Sequence, residues 1–179
     1  MIIIKTPEQI AKMRVAGKVT AQVLRILESK VAPGVTTAYL NQIAEEECRK
    51  RGAHPVFKNY PHYKGGRPFP GAICASVNDE VVHGIPADRQ LQEGEIISID
   101  FGVIVNGFAG DSALTVPVGE VDREVARLIN TTEEALLRGI KQAKAGSRLG
   151  MVSSTIQTYA EKNGFSVVRE FVGHGIGEN

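Results

Sequence analysis

Apolar side chains recur with helical spacing in four segments of the chain, and they alternate with strand spacing in the stretches between them. Thr6, followed by Pro7 and Gln9, forms a capping box, which is typical of a helix start. This order of elements predicts a mixed α/β (α+β) fold. We predict helices over residues 6–30, 37–51, 122–145 and 149–163, strands near 72–77 and 165–172, and a hairpin over 96–116.

The two parts of the chain repeat one another. A shift of 112 positions, without a gap, places Gly52, where the second predicted helix ends, on Gly164, where the fourth ends. We therefore predict one domain over residues 1–179, with a first repeat at about 6–119 and a partial second repeat at about 120–179. The counterpart of the first repeat's sheet is absent from the second, so we expect the second repeat to be incomplete.

Two aspartates lie on opposite arms of the predicted hairpin. Asn106-Gly107 predicts a type I′ turn, because that turn needs positive φ at both central residues. With this turn the numbers of facing residues sum to 213, so Asp100 faces Ala113 and Asp111 faces Gly102. Strand side chains alternate between faces, which places both carboxylates on one face. The other face carries the expected core positions Ile97, Ile99, Phe101 and Val103.

Two carboxylates this close repel each other unless a positive charge lies between them. A divalent cation relieves that repulsion, and carboxylate oxygens suit Mg²⁺, Mn²⁺, Fe²⁺, Co²⁺ or Zn²⁺. Gly102, Gly107 and Gly110 leave room for such a guest. The alternative is a solvated sheet face, on which the aspartates only keep the hairpin soluble.

Four histidines bear on this choice. His83 and His174 each have a glycine beside them, which exposes the imidazole and lets a ligand approach the backbone. One imidazole can complete the coordination of a metal, and the other can act on a substrate, since the ordinary pKa of histidine lies near neutrality. His54 and His62 lie in or near an irregular loop over residues 58–70, which is either a substrate-contacting segment or a plain connector.

The composition narrows the function classes. The hydrophobic fraction is 42%, the charged fraction 23% and the formal net charge +1, so there is no electrostatic signal for a nucleic-acid partner. Two cysteines make no disulfide framework and fit a reducing cytosol, so we expect a cytoplasmic protein. No apolar run reaches transmembrane length, and the N-terminus lacks the layout of a signal peptide, so we expect no membrane partner.

Several short motifs, taken together, resemble the type I methionine aminopeptidases of bacteria over essentially the whole chain. The resemblance implies the pita-bread fold, whose halves are related by a pseudo-two-fold. It also implies a metallo-exopeptidase that removes the initiator methionine from nascent proteins, with the ribosome as a further partner. The motifs are Ile3-Ile4-Lys5-Thr6-Pro7-Glu8, Ile73-Cys74-Ala75-Ser76-Val77-Asn78, His83-Gly84-Ile85-Pro86, Ile99-Asp100-Phe101-Gly102, Gly110-Asp111 and Gly173-His174-Gly175-Ile176-Gly177.

The resemblance further implies a role for individual residues. His83 would contact the substrate near the scissile bond and act in catalysis. Up to two divalent ions, of Co, Mn, Fe or Zn, would activate water and stabilise the oxyanion. The implied metal ligands are Asp100, Asp111 and His174, and the implied lining of the methionine pocket is Cys74, Tyr63 and Phe69.

The chain departs from this family in its ligand set. The family carries two further glutamate ligands and a second histidine after the Gly-His-Gly motif, and none of them is present here. We therefore expect a C-terminally truncated chain with three of the five metal ligands and impaired activity. The missing half-sheet would expose a strand edge and an apolar face, so we also expect self-association.

Two other interpretations use the same fold. A non-catalytic pita-bread binding module would explain the missing glutamates, but such proteins lose metal ligands, and Asp100, Asp111 and His174 are all intact. A proline-directed aminopeptidase or prolidase usually carries an extra N-terminal domain, whereas this chain begins directly with its first helix.

Overall fold

The computed structural model of the 179-residue chain describes residues 3–61 and 65–178. It contains two compact units: residues up to 121 together with those from 175 onward form the first unit, and Asp122–His174 form the second. In the described ranges, none of the helices combines the length and the apolarity needed to cross a lipid bilayer. The assignment of residues 1–179 to one domain, with its two repeat boundaries, stays a prediction.

Two helices open the first unit, α1 (Pro7–Glu28) and α2 (Thr37–Lys50). The predicted capping box starts α1: the Gln9 amide donates to Thr6 Oγ1 over 3.2 Å, and the Thr6 amide donates to Gln9 Oε1 over 2.9 Å. These two bonds satisfy amides that a helix start otherwise leaves to water. Both helices end within two residues of the predicted positions.

The sheet of the first unit is antiparallel and has β3 at its centre. Its strands are β1 (His54–Pro55), β2 (Cys74–Val77), β3 (Ile96–Val105) and β4 (Phe108–Pro117). β4 pairs along the whole of one edge of β3, and β2 and β1 pair in succession along the other edge. β2 and the hairpin of β3 and β4 confirm the predicted strands, whereas β1 falls in a segment without a strand pattern.

One face of this sheet is the core of the unit, and α1 packs against it. Gly110 on β4 makes the approach possible: a Cβ at this position would lie 2.5 Å from the carbonyl carbon of Ala16. The absence of a side chain at Gly110 therefore sets how closely α1 approaches the sheet. The predicted core positions Ile97, Ile99, Phe101 and Val103 are all fully buried.

The second unit is built from two helices, α3 (Arg123–Gln142) and α4 (Leu149–Lys162). They pack together closely, because a Cβ at Gly139 would lie 2.7 Å from the Ile156 side chain. The 112-residue shift holds in three dimensions: it maps the bounds of α2 onto those of α4 without error. The links before these helices also agree, since Gly34 and Gly146 both have a φ of +85°.

The strand predicted over residues 165–172 is wrong. The segment has no regular secondary structure. Its apolar pattern suits a strand, but a strand needs a neighbour to bond its amides and carbonyls, and the second unit contains no described strand. Asp122 precedes α3 as predicted, although its side chain makes no capping hydrogen bond.

Candidate active site

The register of the hairpin brings the two aspartates together as predicted. Asn106 and Gly107 form the turn with φ of +52° and +79°. Every pair of facing residues on β3 and β4 sums to 213, including Asp100 with Ala113 and Gly102 with Asp111. Because directly facing residues project to the same side of a sheet, Asp100 and Asp111 are diagonal neighbours on the face opposite the core. We call this surface the site face.

Gly102 lies close beside one of the carboxylates, where a side chain would not fit easily. A Cβ at this position would lie 3.2 Å from Asp111 Oδ1 and 3.3 Å from Val56 Cγ2. Asp100 and Asp111 are both half-buried, and Oδ1 of Asp111 is itself hidden from solvent. We call the part of the site face that Asp100, Gly102 and Asp111 share the cradle; a side chain at Gly102 would crowd the Asp111 carboxylate there.

Cys74 lies on the same face, directly opposite Asp100 on β2. The thiol is buried, and burial, together with the smaller effect of the charges of Asp100 and Asp111, raises its pKa to about 12. The negative charges of both carboxylates therefore act on the Cys74 thiol. The thiol stays protonated at neutral pH and behaves as a small apolar side chain. The structure thus brings together three predicted site residues: Cys74, Asp100 and Asp111.

The cradle suits a hard divalent cation. Its donors are carboxylate oxygens, Gly102 adds no side chain beside them, and a cation would offset the like charges. Among residues 3–61 and 65–178, no three side chains of His, Cys, Asp and Glu are grouped as a metal site. His174 closes the second unit, with an exposed side chain. Its role as a third ligand stays a prediction.

His83 occupies a turn that folds back onto β2. Its φ is +59°, a left-handed value that is uncommon outside glycine. The next residue, Gly84, is bonded on both sides: its carbonyl accepts from the Ala75 amide over 2.8 Å, and its amide donates to Ser76 Oγ over 3.1 Å. The exposed His83 is thereby held at the edge of β2, the strand that carries Cys74.

Phe69 is anchored in the irregular segment before β2. Its ring packs edge-on against Phe57, with centroids 6.5 Å apart, and its amide donates to the carbonyl of Tyr60 over 3.0 Å. Phe69 is half-buried in this arrangement. Tyr63, the other aromatic residue predicted for the methionine pocket, lies outside the described residues, as does His62.

The site face also contains two residues that the sequence analysis did not assign to it. His54 belongs to β1 and pairs with Ile104, which shares the site face with Asp100. No local signal indicates this position, because a two-residue strand is defined by a partner fifty residues away. Ser76 could have been found, since it stands two residues after Cys74 and strand side chains repeat with period two.

Known proteins resemble this chain in both sequence and structure. A family model, metallopeptidase family M24, matches residues 11–179. Methionine aminopeptidase 1 of Bacillus subtilis is 49% identical over the whole chain, which spans 70% of that relative. The crystal structure of methionine aminopeptidase from Rickettsia prowazekii superimposes with a TM-score of 0.92 at 42% identity, covering 99% of this chain and 69% of that one.

A more distant structure defines the fold. Xaa-Pro dipeptidase from Bacillus anthracis superimposes with a TM-score of 0.79 at 24% identity, covering 97% of this chain and 46% of that one, and at this identity the likeness concerns the fold alone. It confirms the expected pita-bread architecture. The far higher identity to the methionine enzymes separates this chain from the proline-directed ones. The chain belongs to metallopeptidase family M24, in its methionine aminopeptidase branch.

Proposed function

We propose that the chain is a metal-dependent aminopeptidase that removes an N-terminal methionine from newly made proteins. The observation that carries the proposal is the pairing of Asp100 and Asp111 on one face of the hairpin, with Gly102 beside them. The family supports metal dependence and a methionine-initiated substrate. Since nascent chains emerge in the cytosol at the ribosome, we propose a cytoplasmic enzyme that works beside the ribosome.

In this proposal the two aspartates hold one or two divalent ions, and His174 is a further ligand. Mn, Fe, Co and Zn all accept carboxylate and imidazole ligands, so any of them can occupy the site. When bound, such an ion supplies Lewis acidity and a water of lowered pKa. The remaining steps belong to side chains of the chain itself.

We assign substrate binding to four residues: Cys74, Phe69, Tyr63 and His83. Cys74 presents a neutral, buried thiol, a soft surface against which a thioether packs well. Phe69 and Tyr63 supply aromatic surface for the same methionine side chain. His83 lies on the edge of β2 and, in our proposal, hydrogen-bonds the substrate beside the scissile bond, where its imidazole can give or take a proton.

The 179 residues contain three of the five ligands that the family resemblance implies. We therefore expect the isolated chain to hydrolyse peptides well below the rate of its longer relatives. Loss of ligands weakens metal affinity first, so raising the metal concentration should recover part of the rate.

Release of methionine from a Met-Ala-Ser peptide tests the proposal. We expect release by the purified chain with Co²⁺ or Mn²⁺, abolition by a chelator, and a fall of at least about a hundredfold in Asp100→Asn, which keeps the shape but removes the charge. Asp88→Asn is the matched control, because Asp88 is exposed in a loop of the same unit. A folded chain that binds Mn²⁺ yet releases no methionine would instead favour a binding module.

A further inference from the structure

The turn that carries His83 is fastened to β2 by two hydrogen bonds of different kinds. The Gly84 carbonyl accepts from the Ala75 amide over 2.8 Å, as a neighbouring strand would. The Gly84 amide, in contrast, donates to a side chain, Ser76 Oγ, over 3.1 Å. Both bonds hold the residue that directly follows His83.

Gly84 packs tightly against its neighbours, so no side chain fits at this position. A Cβ at this position would lie 2.3 Å from the Ala75 carbonyl oxygen and 2.9 Å from Glu80 Oε2. The Glu80 carboxylate is itself fixed, because it accepts from the Val77 amide over 3.0 Å and pairs with Arg89 over 2.9 Å. Only glycine, which has no Cβ, therefore fits at this position against β2.

His83 adopts a backbone conformation that the chain does not favour by itself. A left-handed φ costs an ordinary residue about 1 kcal/mol or more, and such residues persist where their surroundings hold them in place. The two bonds on Gly84 hold the residue that directly follows His83 in the chain. Because His83 has a proposed role with the substrate, the group that maintains its uncommon backbone conformation also bears on that role.

Ser76 is well placed for that task. It is 4% exposed and pairs with Ser98 on β3, so its hydroxyl lies on the site face, two residues from Cys74. The neighbouring hydroxyl is used differently, since Ser98 Oγ bonds to Thr115 Oγ1 over 2.9 Å. Of these two adjacent hydroxyls, the one on Ser76 ties the His83 turn to the site face.

We propose that Ser76 is a positioning residue for His83: by accepting a hydrogen bond from the Gly84 amide, its hydroxyl fixes the left-handed turn and sets where the imidazole stands at the edge of β2. The inference rests on the proposed role of His83 in substrate binding. Ser76 contacts no substrate in this account and acts only through the turn.

Three variants test the inference, with readouts that need neither metal nor peptide. In Ser76→Ala we expect the Gly84 amide to exchange with solvent about tenfold faster and the His83 ring signal to shift or broaden in the NMR spectrum. Ser76→Thr keeps the hydroxyl and should restore both signals. Ser98→Ala removes the adjacent hydroxyl on the same face and should change neither, and the His54 ring signal serves as an internal reference.

The results separate this inference from the proposed function. Unchanged Gly84 exchange and His83 signals in Ser76→Ala would overturn it, as would equal changes in Ser98→Ala. If the parent chain releases methionine, Ser76→Ala should lower kcat more than it raises KM. If the parent chain releases none, the proposed function fails, while the NMR comparison still decides the role of Ser76.

Discussion

Asp100 and Asp111 are eleven positions apart in the sequence, and the turn at Asn106-Gly107 brings them close together. Each aspartate by itself is an ordinary polar position on a strand. The turn makes them diagonal neighbours, and Gly102, on the same face, adds no side chain beside Asp111. At the scale of single residues the site therefore depends on three kinds of position: charged groups, a glycine without which the cradle closes, and a residue held in an uncommon conformation.

The left-handed backbone of His83 is open to a direct test. Asparagine tolerates this conformation and β-branched residues do not. We expect His83→Asn to change the free energy of unfolding by less than about 0.5 kcal/mol and His83→Val to lower it by about 1–2 kcal/mol. Urea titration measures both. Equal stabilities of the two variants would mean that position 83 is not left-handed in solution.

The buried thiol of Cys48 makes the free energy of unfolding depend on pH. Burial raises the pKa of this thiol from 9.0 to about 11. The folded chain then keeps a proton that the unfolded chain has lost, so the free energy of unfolding falls as the pH rises from about 9 towards 11. In Cys48→Ala this contribution is gone, and denaturation series at stepped pH should show a shallower fall. Identical slopes for both proteins would contradict the assigned burial.

At the scale of elements, local patterns predicted what local forces determine. The capping box at Thr6, the turn at Asn106-Gly107 and the glycine after α2 each act within a few residues, and the elements they bound lie where the sequence predicted them. β1 was missed and the strand over 165–172 was wrongly predicted for one common reason. A strand forms only when a neighbouring strand bonds its backbone, and for a short or isolated strand that neighbour can be far away in the sequence.

The contact between α1 and the sheet gives an element-scale prediction with a built-in control. A Cβ at Gly110 would meet the α1 backbone at 2.5 Å, whereas one at Gly17, on α1 itself, meets nothing within 4 Å. We expect Gly110→Ala to lower the free energy of unfolding by about 1–3 kcal/mol. Gly17→Ala should raise it by about 0.5–1 kcal/mol, since alanine is the better helix former. Thermal or urea unfolding of both variants decides; a neutral Gly110→Ala would mean a looser contact.

At the scale of the whole molecule, the internal repeat exposes a contrast between the units. Leu24 on α1 is 4% exposed, beneath the sheet, while its counterpart after the 112-residue shift, Leu136 on α3, is 51% exposed. The outer edge of β4 is also only partly covered: the Ala109 amide donates to the Gly177 carbonyl over 2.8 Å, and from Gly110 onward no described strand pairs with that edge. Both features favour association between chains.

We propose that the isolated chain self-associates, in part through the apolar face of α3. Ile140 is 57% exposed on this helix, and Ile140→Glu should shift the average mass towards the monomer in light scattering. Asn130→Glu adds the same single negative charge at an exposed, neutral position of the same helix and should shift the mass less. A parent chain that stays monomeric at all accessible concentrations would rule out the association.

Because both carboxylates must lie on the same face, the length of the hairpin arms can change only in certain ways. Because side chains alternate along β3, deleting one residue anywhere between Phe101 and Val105 would turn Asp100 towards the core while leaving Asp111 outside. The acids would then lie on opposite sides of the sheet, and one charge would be buried beneath α1. Insertions and deletions within the arms are therefore tolerable only in pairs, so we expect homologous hairpins to differ in length by even numbers.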